Sequence, residues 1–433
     1  MTQARTMRAV AAAVSVGALL ATAACSSGTP AAPASSGAGT STANWDEFGP
    51  ITYVAGKDVS GNRKKEIAEW NAANPNEKVT FLELSDNADE QRAQMIQRGQ
   101  AKSGEYSILS VDVVWTSEFA ANGWLEALPA DKFKTEGYLK AAVDSATYFN
   151  KLYAMPESSD GALLFYRKDL LSKAGIDKPP TTMAEMKTIC DKVLPDNPGM
   201  SCFGGQFDKY EGLTCNVAEA INSAGGSFLT PEGKPSVNTA QAVAGLQWIV
   251  DSFKSGFIPE NAITWKEEPT RFAFQDSKIL FMRNWSGTGG SMDKDTKVTG
   301  KYATAPLAGV SGPGVSTLGG HSFGISTFTK NKGTAMKFIN WMSTKDMQIA
   351  RMKATSNAPV IQAIYDDPAL QKQFPYLKDL GAGIANAQPR PKAVKYGDVT
   401  QAIQDASYAA LKGQKDPKTA LDELQAKLET LTK

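Results

Sequence analysis

The sequence predicts an α/β protein of two lobes, each a sheet flanked by helices, with a ligand cleft between them. Three observations carry this. Short apolar, β-branched runs alternate with stretches of helical spacing from about Ile51 onward, the pattern of a sheet covered by helices. The alternation comes in two successive sets, the second opening at Pro179–Pro180. The chain has 433 residues, enough for about two or three domains.

Composition narrows the function. Hydrophobic residues make up 42% and charged residues 21%, an ordinary globular balance. A net charge of +1 offers no electrostatic footprint for nucleic acid. The single histidine, His321, excludes zinc sites built on His pairs. It reads as structural, and no metal or cofactor is implied.

Arg5 and Arg8 precede the apolar Ala9–Leu20, and the small residues Ala21–Ala24 follow. Residues 1–24 are therefore a targeting segment, its apolar core Ala9–Leu20 too short for a membrane span. Cys25 comes next, and the segment resembles a bacterial lipoprotein signal, in which that Cys is lipidated. The Ser/Gly/Pro/Ala/Thr tract across 25–45 has too few large apolar residues to fold and reads as a flexible tether. Cys190, Cys202 and Cys215 remain, and in an exported protein two of them pair. Spacing leaves the pair open, with Cys190–Cys202 favoured as joining a helix end to the next strand.

In the body, Ile51–Ala55 is a strand, GKDVSGN a loop, Lys64–Asn74 a helix, Val79–Leu84 a strand and Asp89–Gly99 a helix. Ile108–Trp115 reads as a strand buried on both faces. Thr116 or Ser117 is expected to cap the next helix, which Gly123 ends before a second apolar element, Trp124–Leu128. Ala162–Arg167 is a strand meeting the helix Lys168–Ala174. In the second set, Met183–Val193 is a helix, Met200–Gly205 a strand, and Gly212–Ala224, Thr239–Ser255 and Glu268–Gln275 are helices. Lys278–Arg283 and His321–Ser326 are strands, Ala335–Met342 is a helix, and Thr400–Lys433 holds two more.

At this point the chain resembles the extracellular solute-binding proteins of carbohydrate ABC importers, in the maltose-, trehalose- and α-glucoside-binding branch. The stretches that carry the resemblance include NEKVTFLEL, VDVVWTSEFAANGWLEAL, LYAMPESSDGALLFYRKDLL, RFAF...MRNWSG, TLGGHSFGIS and NAPVIQAIYDDP, in family order over nearly the whole mature chain. It implies a periplasmic-binding-protein-like fold closing about a hinge, with lobe 1 at 46–158 and 321–362 and lobe 2 at 159–320 and 363–433. It also implies a monomer, lipid-anchored at the outer face of the cytoplasmic membrane, that hands an oligosaccharide to permease subunits. An α-linked disaccharide such as trehalose or maltose is the first choice. Other oligosaccharides and then a glycerophosphodiester follow, although a phosphate would want more positive charge than one Arg. The competing reading is a secreted glycoside hydrolase using a carboxylate pair such as Asp112 and Glu268.

A sugar site needs carboxylates, amides and Arg for hydroxyls, and aromatic rings for the apolar faces of the sugar. Asp112 and Trp115 fit by position at a strand end, where open α/β sheets bind ligands. Trp285 follows another strand, and the resemblance puts it on the sugar. The family pattern also places Glu268 in the cleft, and Asp160 of SSDG at a lobe crossing where trehalose binders often carry Asn. Asp58 matches a cleft loop, or shapes a turn. Tyr210 and Glu211 precede a helix. Gly320, after Gly319, lets backbone approach a ligand. Arg390, fenced by Pro389 and Pro391, suits a vicinal diol.

Overall fold

The computed structural model describes residues 43–431. The expected targeting segment, the Cys25 expected to carry a lipid, and the expected tether as far as 42 lie outside the described residues.

The first sheet has the order β2-β1-β3-β13-β6. Here β1 is Ile51–Ala55, β2 Val79–Glu83, β3 Ile108–Asp112, β6 Ala154–Pro156 and β13 His321–Ile325. The first three are parallel, and β13 runs antiparallel to β3 and β6. Between β3 and β6 a small hairpin pairs β4 (Thr147–Tyr148) with β5 (Lys151–Leu152). Alternation along β1 explains the two-sided core. Ile51, Tyr53 and Ala55 pack with Trp70 and Phe338 on one side. Val54 packs with Met95 and Phe119 on the other. Side chains on a strand face opposite sides in turn, so both faces are covered by helices.

The second sheet has the order β11-β8-β10-β9, with β8 at Leu163–Tyr166, β9 at Ser201–Gly204, β10 at Ile279–Asn284 and β11 at Ala303–Ala305. Its helices include Met183–Val193, started by a full capping box between Thr182 and Glu185. That reciprocal pairing satisfies amides a helix start leaves bare. Cys190 at this helix is disulfide-bonded to Cys202 of β9, with Cα atoms 5.6 Å apart, and Cys215 is free and buried.

Two strands stitch the sheets together. β7 (Asp160–Gly161) pairs antiparallel with β12 (Leu318–Gly319), where the chain leaves the first sheet after β6 and returns to it at β13. Helix Lys345–Thr355 also touches both lobes, since Arg351 pairs with Glu66 while Met352 sits in the second core. Helix Tyr396–Leu411 does the same, with Tyr396 in the first core and Val399 and Ile403 in the second.

Two local expectations are corrected. β3 ends at Asp112, and the helix Thr116–Ala121 has Trp115 at its N-cap with no side-chain cap, so neither Thr116 nor Ser117 caps it. The apolar element Trp124–Leu128 buries Leu125 and Leu128 and bridges once, Leu125 to Ser326. Helices at Lys345–Thr355 and Tyr376–Ala385 add to those expected from the sequence. Among the described residues no helix is long and apolar enough to cross a membrane.

Candidate functional site

A cleft of about 700 Å³ opens between the two sheets, within the size range of ligand sites. The carboxyl ends of β1, β3 and β10 reach it, as does the hinge pair β7–β12. Nine of the ten residues expected from the sequence line it; Trp115 alone does not.

Trp115 is a correction with a plain cause. Because β3 stops at Asp112, the next residues turn, and the indole swings back under the sheet. It is 1% exposed and stacks on Phe119 at 6.2 Å, among Leu109, Val111 and Tyr396.

Trp285 supplies the apolar wall. It follows β10 directly, and the Arg283 guanidinium carbon lies 4.1 Å from its ring centroid. Arg283 is held in turn by Glu219 and by Gln206 at 2.7 Å, so the indole rests on a fixed shelf. A Cβ at Gly319 would sit 2.6 Å from the ring, so only glycine lets the indole lie against the hinge strand. At the next position Gly320 has φ +113°, and a Cβ there would run into the Ser158 carbonyl. That conformation favours glycine.

Asp160 stands on the hinge strand β7. Its Oδ2 accepts from Ser286 Oγ at 3.1 Å, while Oδ1 is buried with no partner among the described residues. Burial pushes its carboxyl up to about 7, against the pull of Ser286, the Gly161 amide and Arg283. Tyr210 is buried, with its hydroxyl against the Glu267 carboxyl.

Glu211, at the start of helix Glu211–Ser223, accepts from Thr400 at 2.7 Å, from Tyr396 and from Arg390 Nη1. Burial raises its carboxyl, Arg390 opposes that, and Asp112 and Asp89 reinforce it. Arg390 also gives Nη2 to Asp112 Oδ1 at 2.9 Å. One guanidinium thus spans a carboxylate from each lobe, leaving its buried Nε without a partner among the described residues.

Asp58 sits at the cleft and also shapes its turn. Its oxygens take Ser60 Oγ at 2.8 Å and the Lys64 amide at 3.2 Å. Glu268 lines the cleft but is paired with Arg271 one turn along its own helix.

Sequence reasoning missed two features. Glu267 also lines the cleft, and burial raises its carboxyl while Tyr210, Arg283 and Trp285 lower it. Successive helical residues point about 100° apart, a signal that only one of Glu267 and Glu268 could share a neighbour such as Tyr210. The second is a charged wall on the first lobe. Arg63 meets Glu157 at 2.9 Å, and Arg351 meets Glu66 at 3.0 Å and Glu157 at 3.7 Å. Burial would raise the Glu157 carboxyl, but Arg63 and Arg351 outweigh it and hold it below its usual range. These partners lie far apart in the chain, so no local pattern announces them.

Comparison with known proteins places this architecture. Residues 65–375 match the family model described as bacterial extracellular solute-binding protein. A probable ABC transporter-binding protein of Deinococcus radiodurans is 31% identical over 377 residues, 84% of this chain and 89% of that protein. The maltose-bound structure of T. maritima MalE3 is 32% identical, with a TM-score of 0.84 over 88% of this chain and 99% of that one. The GacH receptor of Streptomyces glaucescens shares the fold at 20% identity, with a TM-score of 0.79 over 89% and 98%. The chain belongs to the bacterial extracellular solute-binding protein family.

Proposed function

We propose that this chain captures an α-linked disaccharide, trehalose or maltose, and delivers it to the permease subunits of an ABC importer. It does so as a monomer held by a lipid on Cys25 at the outer face of the cytoplasmic membrane. One observation carries the reading. Asp160 Oδ1 and Arg390 Nε are buried polar atoms without partners among the described residues, and both belong to residues lining one cleft beside Trp285. Each unmet group is costly, and a sugar meets both of them, with hydroxyls as donors and acceptors and a ring face for the indole. The 32% identity to a maltose-bound protein supports the ligand class.

Capture follows from lobe closure. The ligand binds between two bodies hinged at β7–β12, and its differential affinity for the closed form shifts the equilibrium. Asp160, Gly319 and Gly320 sit on the hinge itself, so contact with the sugar acts directly on the closing element.

The test is thermal unfolding of the mature chain against trehalose, maltose, maltotriose, sucrose, cellobiose and glycerophosphocholine. Sugar is recovered afterwards. A ligand at roughly 100 times its dissociation constant adds about 2.7 kcal/mol. A shift with trehalose or maltose, returned intact, is the expected result. No shift with either sinks the assignment, and cleaved sugar would favour the hydrolase.

A further inference from the structure

We propose that the cleft selects glycans that are uncharged or carry an ammonium group, and excludes those bearing carboxylate or phosphate. This rests on the sugar-capture reading and specifies its ligand class.

The cleft is lined by nine carboxyl side chains and five Lys or Arg. Four of the five cations are already engaged. Arg63 and Arg351 serve Glu157 and Glu66, Arg390 is shared by Asp112 and Glu211, and Lys266 lies 3.9 Å from Asp86. The fifth, Lys57, is exposed. An incoming anion therefore finds no buried cation with uncompensated charge; Arg390 Nε is a free donor, but its guanidinium already faces the two carboxylates of Asp112 and Glu211.

The carboxyls are not all engaged. Neither Asp160 nor Glu267 has an ion-pair partner among the described residues. The guanidinium acting on both, Arg283, is committed to Glu219 beneath Trp285. Asp160 is more than nine-tenths buried, and its orphan Oδ1 can only accept a hydrogen bond when ionised. Its other neighbours add no positive charge, being Ser286, the Gly161 amide and the tyrosines Tyr365 and Tyr376. A hydroxyl or ammonium satisfies such an oxygen. Where Asp160 is ionised, above about pH 7, a second carboxylate beside it meets like charge in a low-dielectric site, where wrong-sign placement strongly disfavours a partner. The four engaged cations balance carboxylates of the protein, so they tune the wall and do not recruit an anion.

Immobilised full chain is equilibrated with one mixture and the retained species are identified by mass spectrometry. The mixture holds neutral starch oligosaccharides, amine-bearing chitosan oligosaccharides, uronate-bearing pectin oligosaccharides and maltose 1-phosphate. Titration calorimetry then follows for each retained species. Retention of neutral or amine-bearing glycans is expected, with maltose 1-phosphate at least roughly 100-fold weaker than maltose. Joint Asp160→Asn and Glu267→Gln substitution should narrow that gap by roughly 10-fold. Uronates or the phosphate binding as tightly as neutral glycans would overturn the charge rule while leaving sugar capture intact. A mixture extended with non-glycan metabolites separates the other failure: retention of only a neutral or cationic non-glycan sinks sugar capture and keeps the rule. Retention of nothing counts against both.

Discussion

Replacing Asp160 by Asn should stabilise the protein increasingly as pH rises from 4 to 8. Burial holds this carboxyl at about 7, against 3.8 for the ordinary group. A raised acid keeps its proton in the folded state longer than in the unfolded chain, so its favourable contribution is complete below pH ~3.8 and is lost as pH climbs through about 7. At about 1.36 kcal/mol for each pH unit, a gap of about three sets a ceiling of about 4 kcal/mol for the loss. The Asn variant has no proton to lose and keeps an oxygen for Ser286. Glu211, Glu267 and Asp89 are raised as well, but they titrate in both proteins and cancel in the difference. Urea unfolding of both proteins at pH 5, 6, 7 and 8 gives that difference directly. It should grow by about 2–3 kcal/mol across the series. A difference constant within about 0.5 kcal/mol, far below that growth, would refute the claim that Asp160 is buried without compensation.

The two tryptophans should separate cleanly. Trp285→Ala should weaken sugar affinity by roughly 30-fold or more, as central aromatic anchors do, with the fold retained. Trp115→Ala should cost about 3–5 kcal/mol of stability as a core cavity and leave the affinity of the folded fraction unchanged in calorimetry. Cys202→Ser opens a link between residues 12 apart in sequence and should lose about 3 kcal/mol in a denaturant titration. Sugar affinity should itself rise as pH passes upward through about 7, because a ligand hydroxyl donates best to ionised Asp160; calorimetry in two buffers of different ionisation heat would report the released proton.

What the sequence made legible depended on how local the signal was. Met183–Val193 was readable to its ends because Pro, two Thr and a Glu three residues into the helix announce its start within five positions. Strands with apolar runs, such as β1, were equally plain. The crossings at Asp160 and Gly319–Gly320 were expected from the family resemblance, but the strands β7 and β12 have no period of their own, since two residues each carry none and pair only because Asp160 finds Gly319 in the other crossing. Trp115 misled for a related reason. An apolar run cannot say where the strand stops, and three residues of turn reversed the direction of the indole. The Glu66–Arg351 pair, 285 positions apart, is beyond any local reading.

The site itself is marked by what it costs the fold. Each lobe has a dry core on which its helices pack, so the chain has the means to bury apolar surface. Yet where the lobes meet it places one guanidinium between Asp112 and Glu211 and leaves Asp160 half satisfied. Burying an ion pair seldom stabilises a protein relative to a well-packed apolar replacement, and each orphan polar atom costs about 1–3 kcal/mol. Stability alone would favour filling this cleft with Leu and Val. The carboxylates belong to residues at a strand end (Asp112), a helix start (Glu211) and the hinge (Asp160), which the sheets and helices hold in place. A penalty gathered in one rigid cleft, beside one half-buried indole, is what a binding site requires: groups kept unsatisfied so that the ligand can satisfy them.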